Sequence, residues 1–154
     1  MRNLFLALFV VLATAMLAKA ELQIDVTRGQ VSALPIAIPD FAAKTERGSR
    51  LAEGIPDIIR SNLKRSGLFD PLKKSALIQA RLGANTRTDF SAWKATDAQA
   101  LVTGTVSEAA DGRIRVEFRL WDVFAEQQME GVSYRTELGN YRRIGHIISD
   151  VIYE

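Results

Sequence analysis

An α+β fold is predicted, with a mixed, mainly antiparallel sheet and two main helices on one face. Three observations predict it. Residues 98–109 and 113–123 are strand-like runs joined through Asp111-Gly112, a strong hairpin turn. Residues 51–63 and 141–152 carry apolar side chains at the three-four spacing of one helical face. The chain holds no cysteine, so a domain of this size must rest on packing rather than disulfides.

The elements follow in order. Residues 1–20 read as a cleaved secretory signal. Arg2 gives a positive start, residues 4–17 are apolar except for Thr14, and Ala18-Lys19-Ala20 supplies the small residues before a cut between Ala20 and Glu21. The alternative is a membrane anchor, but fourteen helical residues span only about 21 Å against a hydrocarbon core of roughly 30 Å. With no cysteine at the junction, lipid attachment there is excluded.

Removal of residues 1–20 takes away Arg2 and Lys19 from 20 basic side chains and none of the 18 acids, leaving 18 against 18. The net charge of +2 therefore falls to zero, and the basic character that would favour nucleic acid disappears.

Residues 21–27 alternate Leu22, Ile24 and Val26 with Gln23, Asp25 and Thr27, a half-buried strand pattern. Residues 34–41, "LPIAIPDF", form a more continuous apolar strand, placed at an edge or ended by Pro35 and Pro39. A polar loop, "AAKTERGS", precedes the first helix. Pro56 suits a first turn, so 51–55 is expected to be a looser lead-in, and Ser66-Gly67 a stop. Asn62 interrupts the apolar stripe and is expected to bond a neighbouring loop.

"LFDPLKK" reads as a short strand and turn, "SALIQ" as one helical turn, and "DFSAWKAT" as another capped by Asp89. In the hairpin, Ile114, Val116, Phe118 and Leu120 face one way; Arg113, Arg115, Glu117 and Arg119 face the other, which is expected to be the more polar face. "QQMEGVSYRTE" is a third antiparallel strand. Asn140 is the expected cap of the last helix. The sequence stops at Glu154 within that helix, which reads as a truncation.

Few constellations offer chemistry. His146 and Asp150 stand four residues apart on the solvated helix face, a pattern for a surface ion pair more than for catalysis. One histidine and no cysteine make a poor transition-metal site, so neither metal nor cofactor is expected. No glycine-rich phosphate loop or nucleophile elbow occurs. Arg113, Arg115 and Arg119 with Trp121 could form a nucleic-acid-binding sheet face, but Glu117 and Asp122 relieve the charge. A non-catalytic interaction domain leads; a small periplasmic hydrolase and an RNA-binding domain are the rivals.

Four stretches in order, "ELQIDVTRG", "IIRSNLKRSGLFDPL", "WKATDAQALVTGTV" and "IGHIISDVIYE", resemble the TolB family of periplasmic Tol–Pal envelope proteins. The resemblance implies the family's N-terminal α/β domain over 33–154, a fold likened to anticodon-binding domains without their RNA function. It implies a periplasmic, non-enzymatic role in outer-membrane integrity and in envelope constriction during cell division.

The family's C-terminal β-propeller, which binds the lipoprotein Pal, has no counterpart in this sequence, so Pal binding is expected only with that propeller. The resemblance also makes residues 21–32 a partner-binding arm for the C-terminal domain of the inner-membrane protein TolA. Its residues are Glu21, Leu22, Gln23, Ile24, Asp25, Val26, Thr27, Arg28 and Gly29. An extended segment of this kind can add itself to a partner's open sheet edge, with the apolar alternates entering pockets. Gly29 would let it swing.

Overall fold

The computed structural model describes residues 32–154. The predicted strand 21–27 and the cleavage junction lie outside the described residues. Seven strands and three α-helices follow in the order β1 (Leu34–Ala37), β2 (Asp40–Ala43), α1 (Glu46–Ser66), β3 (Phe69–Pro71), β4 (Arg81–Leu82), α2 (Phe90–Lys94), β5 (Ala100–Glu108), β6 (Ile114–Asp122), β7 (Gln127–Thr136) and α3 (Tyr141–Tyr153). Short 3-10 turns cover Lys74–Ala76 and Leu138–Asn140.

The sheet is mixed, as expected, but its balance differs. Four pairings are parallel (β1 with β3 and β5, β2 with β4 and β5) and two are antiparallel, β5–β6 and β6–β7. "Mainly antiparallel" therefore holds only for the long meander β5–β7. The parallel half is built from short pieces far apart in sequence, where no turn residue announces a partner.

The expected single strand over 34–41 is two. Its chain steps at Ile38-Pro39, so β1 pairs with the start of β5 and β2 with its end. Neither piece lies at an edge. Pro35 is tolerated inside the sheet because its carbonyl accepts from Gln99 just before the β1–β5 ladder begins, where a missing donor costs little.

Helix α1 begins ten residues before Pro56, not at it. Thr45 caps it by accepting from the Gly48 amide, and Glu46 stands favourably in its first turn. Those two signals outweigh a proline whose ring is buried on the core side. Gly67 closes the helix in the left-handed conformation, as expected.

The hairpin turn is longer than two residues. Gly112 N–H donates to Ala109, the Ala109 N–H to Arg113, and Gly112 takes a φ of 77°, so a three-residue loop with a glycine bulge joins β5 to β6. Asn140 precedes α3 but its side chain makes no capping bond, because the 3-10 turn already leads the chain in. "SALIQ" yields the 3-10 turn Lys74–Ala76 alone. Asp89 does cap α2, accepting from Ser91 and Ala92.

Ile114, Val116, Phe118 and Leu120 are buried under α1 and α3 with Ile36, Phe41, Ile55, Ile59, Val102 and Ile148. The helices run parallel to each other: Gly54 faces Tyr141, Ile58 packs on Gly145, and Asn62 reaches His146 and Ser149. Gly104 leaves room for Phe41, whose ring atoms lie 2.5 Å from where a Cβ would stand. The opposite face is not simply polar. Ala37, Leu82, Trp93, Ala98, Leu101 and Val123 form a second buried cluster under the 72–98 segment.

Candidate partner-binding surfaces

The predicted arm, Glu21 to Gly29, lies outside the described residues. What the structure supplies is the scaffold that follows it. Leu34 opens that scaffold, donating its amide to Leu68, and lines a cleft of about 370 Å³ with Phe69, Phe124, Met129, Ile152 and Tyr153.

The step between β1 and β2 is fixed by one arginine. Arg60 of α1 reaches the Ile38 carbonyl and, at 3.0 Å, the Asp40 carboxylate. It also bonds Asp57, and Lys74 lies 3.3 Å from Asp57 and 3.4 Å from Asp40. Partial burial pushes the Asp57 carboxyl up, but the bonds and charges of Arg60 and Lys74 outweigh it and hold the group below its ordinary value. With its side chain only 12% exposed, Arg60 ties a helix to a discontinuous strand. Two proline-flanked strands gave no sequence signal for this tie.

The arginine face of β6 is occupied from within. Arg113 bonds Asp111, Arg115 bonds Glu117, and Arg119 bonds the Ala84 carbonyl and Asn85 side chain. The Trp121 indole donates to Thr103, and its ring meets Phe90 edge-on at 5.6 Å. Cations already partnered and an aromatic already packed are poor tools for phosphate contact and base stacking.

His146 does not pair with Asp150. Its Nδ1 lies 2.9 Å from Asn62 Nδ2, which also donates to the Ser149 hydroxyl at 3.0 Å; Ser149 in turn donates to Gly145. Asn62 thus bonds a helix rather than the expected loop. Its amide joins two parallel helices across their exposed margin, a structural task that leaves His146 without a carboxylate to orient it. Among the described residues no three His, Asp or Glu side chains gather as metal ligands, and no helix is long and apolar enough to cross a membrane.

Comparison with known proteins places this arrangement. The TolB amino-terminal domain family matches residues 22–129. The chain is 45% identical over 150 residues to the Tol-Pal system protein TolB of Paramagnetospirillum magneticum, a match covering 96% of this chain and 34% of that protein. It therefore spans about a third of its curated relative's length. The crystal structure of TolB from Acinetobacter baumannii superposes with a TM-score of 0.63 at 30% identity, covering 79% of this chain and 27% of that one. The LpoB C-terminal domain from Salmonella enterica shares the fold alone, with a TM-score of 0.51 at 11% identity over 69% of this chain and 83% of that one. By the extent of the family match and the fold it superposes on, the chain belongs to the TolB amino-terminal domain family.

Proposed function

We propose that this chain is the amino-terminal interaction part of a Tol–Pal system protein exported to the periplasm, and that residues 21–32 bind the C-terminal domain of TolA by strand addition. The carrying observation is that the family match starts at Leu22 and so takes in most of the alternating segment. The role is non-catalytic and serves outer-membrane integrity and constriction at division. Pal binding is expected only of a protein that carries the family's propeller.

Strand addition draws affinity from backbone hydrogen bonds and specificity from alternate side chains. Leu22, Ile24 and Val26 enter the partner's surface, while Gln23, Asp25 and Thr27 stay wet. Calorimetric titration of TolA's C-terminal domain into the chain 21–154 tests this reading. Ile24→Asp and Val26→Asp should each weaken binding by tenfold or more, since a buried unpaired carboxylate costs about 2 kcal/mol or more. Gln23→Ala and Thr27→Ala should change it by less than about threefold, as solvated positions do. Equal losses at all four positions would contradict strand addition.

A further inference from the structure

A second surface, at the opposite end of the helix pair from Leu34, carries chemistry of its own. Because α1 and α3 run parallel with Tyr141 against Gly54, the 3-10 turn that leads into α3 lies beside the first turns of α1. Between them is a groove of about 380 Å³ lined by Arg47, Arg50, Leu51, Leu138, Gly139 and Tyr141. Its floor is apolar: Leu51 is buried, the Tyr141 ring packs against Gly54, and Leu138 is 44% exposed.

Its walls are cationic. Arg47 and Arg50 line the α1 side, and next to the lining the Arg142 guanidinium sits 5.7 Å from the centroid of the Tyr141 ring. Of these three, Arg50 and Arg142 are not ion-paired among the described residues, whereas Arg47, Arg60, Arg81, Arg113 and Arg115 all are. Glu53, the acid nearest Arg50 in sequence, pairs with Arg81, and Glu108 pairs with Arg47 of the groove, while Glu46 and Glu137 form no ion pair among the described residues. No acid occupies the first turn of α3, so its positive end adds to the same field.

From this charge complementarity we infer that the groove docks an acidic, extended segment of a partner protein, one apolar side chain entering between Leu51, Leu138 and Tyr141 while flanking carboxylates meet Arg50 and Arg142. A lipid surface or a nucleic acid calls for a broad field of uncompensated cations. Here Arg50 in the lining and Arg142 beside the Tyr141 ring flank a single apolar slot, and the other arginines that make no ion pair among the described residues, Arg65, Arg87, Arg119, Arg135 and Arg143, do not line it. The inference uses residues 47–51 and 138–142 and does not rest on the proposed arm.

The test titrates the chain 21–154 with a fluorescein-labelled peptide, Asp-Glu-Leu-Phe-Asp-Glu, and maps amide shifts by NMR. Shifts should concentrate at residues 47–51 and 138–143. The double variant Arg50→Glu, Arg142→Glu should weaken binding about tenfold or more, whereas Arg65→Glu, an exposed charge at the far end of α1, should not. Serines in place of the peptide's leucine and phenylalanine should weaken it comparably, and so should Leu138→Ser, a variant at an exposed position whose thermal melt should stay within a few degrees of the parent's. Absence of binding, shifts mapping elsewhere, or indifference to the charge reversal would overturn the inference. So would binding of anionic phospholipid vesicles or of single-stranded RNA at residues 47–51 and 138–143 with no binding of the peptide.

Discussion

The two halves of the sheet are held by different means. In the meander β5–β7, nine consecutive residue pairs join β5 to β6, from Ala100↔Asp122 to Glu108↔Ile114, and a glycine turn fixes their register. In the parallel half, β1 and β2 share two registered pairs each with β5, and β4 is two residues long. Backbone ladders that short do not hold a strand by themselves. Side chains finish the work: Arg60 bridges the step at Ile38-Pro39, and Thr105 accepts from the Ala84 amide beyond β4. A sheet can thus change from ladder-held to side-chain-held within one strand, β5, that serves both halves.

That contrast can be broken at measurable points, beginning with the largest effect. Phe118→Asp places a charge in the core shared by both halves, with no cation beside it. The cost, several kcal/mol against a total stability of about 5–15 kcal/mol, should leave no cooperative thermal transition by circular dichroism. Gly104→Val comes next. Its new Cβ would meet the Phe41 ring at 2.5 Å, forcing β2 off β5. Chemical denaturation should show a loss of about 2–4 kcal/mol, with amide exchange accelerating in β2 and β4 before β6 and β7.

Arg60→Met is smaller and more selective. It removes the partner of the Ile38 carbonyl and of the Asp40 carboxylate, for a loss of about 1–3 kcal/mol. Hydrogen exchange should loosen Asp40–Ala43 while the meander keeps its protection; uniform loosening would show that the halves are not held separately.

Asp57→Asn is the smallest, and its signature is pH dependence. The Asp57 carboxyl lies below its ordinary value when folded, so the unfolded chain takes up the proton first. Its contribution is present above the unfolded value and is lost as pH falls through the folded one. An amide at this position does not titrate and so lacks that loss. The variant should therefore melt lower than the parent near neutrality, its melting temperature should fall less steeply on acidification, and the two should converge once the pH is below the folded value.

The same contrast marks what the sequence makes legible. The meander was readable because its information is local: alternation at Ile114, Val116, Phe118 and Leu120, and a turn at Asp111-Gly112. Helix α3 was readable from its apolar stripe. The parallel half was not, since Arg60 and Asp40 meet across twenty residues and look like two solvated charges on the page. Pro35 and Pro39 pointed to an edge because a proline's lost donor is costly only where a ladder needs it, and register cannot be read from one strand. Asn62 was recognised as out of place in its stripe, but its partners are 84 and 87 residues away. The proposed arm was found by the reverse route, through alternation and resemblance.

If residues from 33 onward fold as a scaffold while residues 21–32 carry the TolA contact, folding and binding should separate at that boundary. Calorimetric titration of the TolA C-terminal domain into the chain 33–154, with its thermal melt in the same buffer, tests this most directly. A cooperative melt within a few degrees of the longer chain's is expected, since the main core, Ile36 through Ile152, is retained, together with no detectable heat of binding. Undiminished binding by the shortened chain would contradict the separation and move the TolA contact onto the sheet or the helices.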